Sequence, residues 1–334
     1  MVKIQEVARL AGVSLTTVSH VINHKDRVSL ALRERVERAI DELGYVPNRQ
    51  AQSLRTGRTN MIALMIPDIC SPYYTELVRS VQTALSDSDV DTIIYNTDVP
   101  GGHSEDHGLE YLRQVQRKGL DGLIVADAAL HRIQHELLEI KVPTVFVGNL
   151  PNHAVDSIEQ DGFASAYEMA TYLISKGHRR IAHVTGPSFF NMSMLRQAGF
   201  ERALLDHGIG IDDSLRYEGS FLSPSGHDAV RWLMESHGDN LPSAIFFASS
   251  RMARGGLAAF ADRGVVVPRD IAVASYDIYE EMQDIRPRLT TVGVEPAELG
   301  RGALKLLQER MGASYSGPPR RVVLPARIEI HETA

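Results

Sequence analysis

The sequence predicts an N-terminal all-α helix-turn-helix head followed by an α/β body of two doubly wound lobes. Apolar residues recur at helical spacing through the first 45 residues, and from residue 61 short apolar runs alternate with helical segments. Charge divides the same way: residues 1–60 hold ten Lys and Arg against six Asp and Glu, a net charge of +4, and the rest carries −11. The 334 residues exceed one typical domain.

The first two helices are predicted from a break between two apolar stripes. Gly12 interrupts the first helical run, and Ser14 is suited to cap the second helix. The spacing predicts a helix-turn-helix, with an ordinary helical hairpin as the alternative. The inner faces are apolar: Ile4, Val7, Ala8 and Ala11 on the first helix, and Val18, Val21 and Ile22 on the second.

A third helix is predicted from Ser29, as its cap, to Leu43, before Gly44. It completes one small core and shares the apolar spacing of the first two. Its inner face comprises Leu32, Val36, Ala39, Ile40 and Leu43.

The outer face of the second helix carries small polar groups that suit a DNA major groove, and the positive head favours a polyphosphate partner. Leu15, Thr16 and His20 are candidates for base edges. For each residue singly, a cap or a solvated surface is the alternative. Residues better placed for phosphates are Ser14, Thr17, Ser19, Asn23 and Ser29.

Residues 6–23 read Glu-Val-Ala-x-x-Ala-Gly-Val-Ser-x-x-Thr-Val-Ser-x-Val-Ile-Asn, which resembles the DNA-binding signature of the LacI/GalR family of bacterial transcription regulators. Weaker signs lie at 177–182, 196–200 and 287–292. The resemblance implies a hinge helix that folds over the DNA minor groove when two copies meet. Asn48, Gln52 and Leu54 of this segment are expected to contact DNA, with Leu54 as a wedge between base pairs.

The predicted domains are a DNA-binding head (1–46), a hinge helix and linker (47–60) and a core (61–334). The resemblance implies a core like a periplasmic sugar-binding protein, with lobe one at about 61–161 and 288–316 and lobe two at about 162–287 and 317–334. Buried strands are predicted at 61–66, 92–95, 122–126, 144–147, 181–185, 244–248 and 271–275. Helices include 74–85, 105–116, 163–175 and 196–206.

The same resemblance places a small-molecule effector, a sugar or related metabolite, in the cleft between the lobes. Arg196 and Asp277 match the family's charged pair there, with a structural salt bridge as the alternative. Ser249-Ser250 replace a common Asn-Asp pair, and apolar Phe190 and Met192 replace polar positions, which predicts a smaller or less hydroxylated effector. The expected effector residues are Tyr73, Tyr74, Phe190, Met192, Arg196, Phe221, Ser249 and Asp277.

The sequence gives little support for an enzyme or a metal-binding protein. No phosphate loop, Gly-x-Ser-x-Gly or His-Glu-x-x-His motif is present, so we expect no enzyme and no cofactor. His103, Asp106 and His107, and His131 with His135, have spacing suited to metal but are interpreted as surface residues. The only cysteine, Cys70, is predicted to be a buried small hydrophobe.

The sequence is therefore interpreted as a cytoplasmic, homodimeric, ligand-responsive transcription regulator, most simply a repressor of a pseudo-palindromic operator. No stretch is long and apolar enough for a membrane span, and the first residues do not show a basic segment followed by an apolar run, so we expect neither a membrane protein nor an exported one. The alternative is a ligand-independent or architectural DNA-binding protein with a vestigial solute-binding core. The effector, its role as inducer or corepressor, the operator and any activated target are not readable from these residues.

Overall fold

The computed structural model describes residues 2–23, 28–46, 57–97, 104–126, 136–137, 139–151 and 153–334. The chain divides into two compact units, Met1–Thr59 and Asn60–Ala334. The first is helical and the second contains two mainly parallel sheets, which confirms the predicted fold class.

The head contains helices α1 (Ile4–Ala11), α2 (Leu15–Asn23) and α3 (Leu30–Leu43). Gly12 ends α1 at φ 60°, a left-handed conformation that costs glycine little. The Ser14 hydroxyl caps α2 by accepting a hydrogen bond from the Thr17 backbone N–H (3.1 Å). Ser29 occupies the N-cap position of α3, but its side chain makes no capping hydrogen bond. The predicted stripes meet in one core of Val7, Ala8, Ala11, Val18, Val21, Val36 and Ala39.

The first lobe is a six-stranded sheet in the order β11-β5-β4-β3-β1-β2. Alternate residues of β1 pack into different cores on the two faces: Ile62 and Leu64 into one, Ala63 and Met65 into the other. Helices on both faces explain why the strand is apolar throughout. The elements are β1 (Met61–Ile66), α4 (Pro72–Ala84), β2 (Asp91–Asn96), α5 (Ser104–Arg117), β3 (Gly122–Ala126), β4 (Thr144–Val147), β5 (Asp156–Gln160), α10 (Pro296–Met311) and β11 (Arg321–Leu324).

The second lobe repeats the plan in the order β12-β10-β9-β8-β6-β7, and β12 pairs antiparallel with β10. Its two cores again lie on opposite faces of the sheet, with Val184 in one and Phe246 in the other. The elements are α6 (Gly162–Ser175), β6 (Ile181–Thr185), α7 (Asn191–Asp206), β7 (Arg216–Glu218), α8 (Ser223–His237), β8 (Ala244–Phe247), α9 (Ser250–Asp262), β9 (Ala272–Tyr276), β10 (Thr290–Gly293) and β12 (Arg327–Glu329).

The chain passes between the lobes three times, and the sequence prediction placed two of these passages too early. The segment 288–316 was assigned to the first lobe, yet β10 pairs with β9 in the second sheet and only α10 packs in the first lobe. The segment 317–334 was assigned to the second lobe, yet β11 pairs with β5 of the first. Pro325 separates β11 from β12, because proline has no N–H for a continuous ladder.

The prediction that Cys70 is buried is also wrong, because its side chain is exposed. It lies in the turn between β1 and α4, where its backbone N–H donates to the Asp68 carboxylate (2.8 Å). The turn directs the side chain away from either lobe's core.

Candidate functional site

A cavity of about 430 Å³ lies between the lobes, within the range of small-molecule sites. It lies at the carboxyl ends of strands from both sheets. Pro67 and Gly148 follow β1 and β4 in the first lobe, and Pro187, Ala248 and Asp277 follow β6, β8 and β9 in the second. Open parallel sheets bind ligands at this edge, because strands end there and loops diverge.

Every residue expected at the effector site lines this one cavity. The residues come from α4, α7 and four separate loops, so only the tertiary fold brings them together. Whether they bind an effector stays a prediction. They are Tyr73, Tyr74, Phe190, Met192, Arg196, Phe221, Ser249 and Asp277.

Arg196 is a buried charged side chain among these residues, with 7% of its surface exposed. Its guanidinium donates to the Ala248 carbonyl (2.7 Å) and lies 3.8 Å from the centre of the Tyr276 ring. Its Nε is buried and has no hydrogen-bond partner among the described residues. Leaving a charged donor unpaired is costly, and the described residues supply no acceptor for this one.

Asp277 faces the same cavity from the end of β9. Burial raises the pKa of its carboxyl above the ordinary value, while the Arg196 charge and the Ser250 backbone N–H partly oppose that shift. No Arg196 nitrogen lies within 4.0 Å of the Asp277 carboxylate. These two described residues therefore do not form the structural salt bridge considered as the alternative. Ligand hydroxyl donors would favour the charged carboxylate.

The second lobe supplies an aromatic wall. The Phe190 ring centre lies 4.7 Å from that of Phe189 and 5.9 Å from that of Phe221. Phe221 has φ 64° and Asp277 has φ 79°, a left-handed backbone that is uncommon for such residues. Strained positions of this kind cluster at ligand sites.

The sequence analysis missed an ion pair that spans the cavity. Arg251, in the first turn of α9, lies 3.0 Å from the carboxylate of Asp68, which follows β1 in the other lobe. The Asn191 amide also donates to Asn149 across the lobes. The position of Asp68 directly after a strand could have indicated a residue of the cleft. The position of Arg251 within a helix gave no such indication.

The described DNA-contact candidates lie largely on the surface of the head. Leu15 is 45% exposed, Thr16 is exposed, and Ser19 and His20 are half-buried. Ser14 and Thr17 share a hydrogen bond between their hydroxyls (2.9 Å), so both stabilise the start of α2. Asn23 ends α2, where its side chain is not described, and Asn48, Gln52 and Leu54 lie outside the described residues.

The histidine pairs considered for metal fall on undescribed positions or side chains: His103, Asp106, His107, His131 and His135. Among the described side chains, no group of three His, Cys, Asp or Glu residues is placed to hold a metal ion. Within the same part of the chain, no helix is both long and apolar enough to cross a membrane.

Comparison with known proteins identifies both regions. Residues 3–48 match the model for bacterial regulatory proteins of the lacI family, and residues 170–333 match the periplasmic binding protein-like domain. The chain is 36% identical over 332 residues to the ribose operon repressor of Escherichia coli K12, covering 98% of this chain and 99% of the repressor. The chain belongs to the LacI family of bacterial regulatory proteins. It is a DNA-binding transcription regulator, and its relatives here are regulators rather than enzymes.

Solved structures of LacI-family proteins share its architecture over the whole chain. A CelR–cellobiose complex is 31% identical, covers 100% of both chains and superposes with a TM-score of 0.74. The Lac repressor bound to ONPG in the repressed state is 25% identical, covers 100% of this chain and 99% of that one, and has a TM-score of 0.85. The family signature at 6–23 corresponds to α1 and α2.

Proposed function

We propose that the cavity between the lobes is the effector site, and that a small sugar bound there controls the affinity of the head for operator DNA. One observation supports this most strongly. Effector residues expected from the LacI-family resemblance, scattered from Tyr73 to Asp277, line one cavity that contains a buried arginine with an unpaired donor.

The chemistry of the lining favours a monosaccharide. A sugar ring presents C–H groups to aromatic faces and hydroxyls to charged side chains, which the wall of Phe190 and Phe221 and the groups of Arg196 and Asp277 match. Asp68 pairs with Arg251 and Glu159 pairs with Arg321. Arg196 and Asp277 are then the charged lining residues that form no ion pair within the described part of the chain. The relatives include a ribose operon repressor, which fits this size, and a regulator bound to the disaccharide cellobiose.

The protein is proposed to act as a cytoplasmic homodimer that represses transcription. Two heads related by a two-fold axis would each place α2 in a major groove, so the operator is expected to be a pseudo-palindrome. The exposed Leu15 and Thr16 would meet base edges, and the capping Ser14 would meet a phosphate. The sugar would act by binding more tightly to one arrangement of the lobes, with reciprocal coupling of about 1 to 3 kcal/mol.

The test has two stages. Operator fragments are first selected from genomic DNA with purified protein, and the tightest fragment is then titrated in the presence of pentoses, hexoses and disaccharides. We expect one monosaccharide to change operator affinity by roughly tenfold or more. Non-specific, steeply salt-dependent binding that no sugar alters would contradict the proposal and favour an architectural protein.

Arg196→Ala then tests the site itself. Loss of a charge-assisted hydrogen bond should weaken binding of that sugar at least about tenfold, while basal operator binding is retained. Arg202→Ala is the matched control, because Arg202 lies on the same helix but is exposed and pairs with Asp206 (3.0 Å). Asp277→Asn keeps the shape and tolerates the left-handed backbone, so it separates loss of charge from misfolding. Equal sugar affinity in the Arg196 and Arg202 variants would assign Arg196 a structural role.

A further inference from the structure

The cavity between the lobes has an apolar part that is open to solvent. Phe189 and Leu222 both line this cavity, yet 53% and 42% of their surfaces are exposed. Each is the chain neighbour of a residue in the aromatic wall, Phe189 of Phe190 and Leu222 of Phe221. We call Phe189 and Leu222 the rim. Apolar side chains that stay exposed beside a cavity are typical of a ligand-binding groove.

The aromatic wall continues into the rim. The ring centres of Phe189, Phe190 and Phe221 follow one another at 4.7 and 5.9 Å. At the inner end, the Phe221 ring lies directly against the backbone that follows β6, because a Cβ at Gly186 would be 2.0 Å from its Cζ. Glycine permits this close approach. The three rings therefore form a row that runs from the buried end of β6 to the exposed Phe189.

The lining changes from charged to apolar along α7 in the direction of the rim. Met192 and Arg196 lie one helical turn apart on the same face. A Cβ at Gly162 would be 2.5 Å from the Met192 Sδ and 3.6 Å from the Arg196 Cγ, so the two side chains lie side by side over Gly162. Phe190 is the N-cap residue of the same helix. Apolar Met192 thus separates the guanidinium from the aromatic row.

The groups near the rim offer little to a second sugar ring. Phe189 and Leu222 have no hydrogen-bonding side chain, and the Ser249 hydroxyl already donates to the Phe221 carbonyl (3.2 Å). Ser220, which is exposed, adds one hydroxyl to the lining. A second sugar ring would exchange water for apolar surface with few hydrogen bonds in return. An apolar group would be stabilised by the same surface.

We propose that the effector is a glycoside of one sugar with an apolar, aryl aglycone. This inference rests on the proposed function of the cavity. The sugar would lie against Phe190 and Phe221 with its hydroxyls at Arg196 and Asp277, and the aglycone would cover the rim. The cavity of about 430 Å³ is in the range that holds drug-sized ligands, and one sugar ring fills only part of it. Arg196 and Asp277 have opposite charges, which suits a ligand without net charge.

The experiment compares phenyl and methyl glycosides of glucose, galactose and xylose by calorimetric titration of the full-length protein. For the sugar that binds, we expect the phenyl glycoside to bind about tenfold more tightly, because its ring buries apolar surface against the rim. Phe189→Ala removes the outermost ring of the row and should reduce that preference to about threefold. The matched control is Leu205→Ala, since Leu205 is as exposed (54%), lies on α7 and does not line the cavity; it should keep the preference.

A measurement on the wild-type protein requires no variant to fold. In saturation-transfer NMR, we expect the phenyl protons of the bound glycoside to receive at least as much saturation as the sugar protons. Phenyl protons that receive little saturation would show that the aglycone points into solvent and would overturn the proposal.

The outcomes also separate this inference from the proposed function. Equal affinity for phenyl and methyl glycosides, while a sugar still alters operator binding, would overturn the aglycone and leave the effector site standing. A disaccharide that binds more tightly than the phenyl glycoside would assign the rim to a second sugar ring, which also overturns the inference. Absence of binding by every sugar and glycoside at millimolar concentration would contradict both.

Discussion

Asp156 is predicted to be the most sensitive charged residue for stability of the body. It begins β5, and its side chain is completely buried (0% exposed) between two arginines. Arg310, at the end of α10, lies 2.6 Å from one carboxylate oxygen, and Arg320, just before β11, lies 2.7 Å from the other. The Arg320 backbone N–H adds a hydrogen bond of 2.8 Å. The cluster of Asp156, Arg310 and Arg320 therefore stabilises the position of β11 in the first sheet.

The perturbation is Asp156→Asn, which keeps the shape but leaves two partly buried guanidinium groups without their shared anion. Breaking a buried ion pair by removing one partner typically costs 3–5 kcal/mol. The arginines retain other acceptors and are 20% and 24% exposed, so we take the lower end, about 3 kcal/mol. This is a large fraction of the stability of a typical domain.

Urea unfolding at neutral pH, followed by far-ultraviolet circular dichroism, measures the effect. The matched control is Asp213→Asn, whose carboxylate is 74% exposed and pairs with Arg216; it should cost no more than about 0.5 kcal/mol. Equal midpoints for the two variants would refute the reasoning that burial makes the Asp156 cluster important.

The same residue predicts a pH dependence. Burial raises the pKa of Asp156, but hydrogen bonds from Arg310 and Arg320 outweigh burial and leave the pKa below its ordinary value of 3.8. A depressed folded-state pKa means that the stabilisation is complete above about pH 4 and is lost as pH falls through the folded-state pKa. The Asp156→Asn variant should lack this acid-dependent part, so a wild-type slope below pH 4 in that variant would contradict the assignment.

Two further predictions concern the second lobe and the cleft. Gly226→Ala should destabilise the protein by about 3 kcal/mol in the same urea assay, because its Cβ would lie 1.9 Å from the Met252 carbonyl; Gly210→Ala, with nothing within 4 Å, is the control. Asp68→Asn should weaken sugar binding about fivefold by removing the ion pair across the cleft, and Arg251→Met should do the same, with no further loss in the double variant. Fully additive losses would show that the two residues act independently.

Local pattern was enough for the head and for most of the core strands. The apolar spacing of Val7, Val18 and Val36 depends only on helical period, and a capping serine and a terminal glycine mark helix ends within a few residues. Buried parallel strands are likewise readable, because burial on both faces requires a run such as 61–66 to be apolar throughout. The effector residues were reached through the family resemblance rather than from their own chemistry.

Strand pairings between distant segments could be determined only from the tertiary structure. The sequence alone could not show that β10 joins β9 or that β11 joins β5, since a short strand finds its sheet through backbone groups common to all residues. Nor could it bring Arg251 against Asp68, or leave the Arg196 Nε without a partner among the described residues. By itself the sequence determined the helices of the head, the strand-helix alternation and the regulator family. Only the tertiary structure decided the division into lobes and which polar groups stay unpaired, because both depend on contacts between residues far apart in the chain.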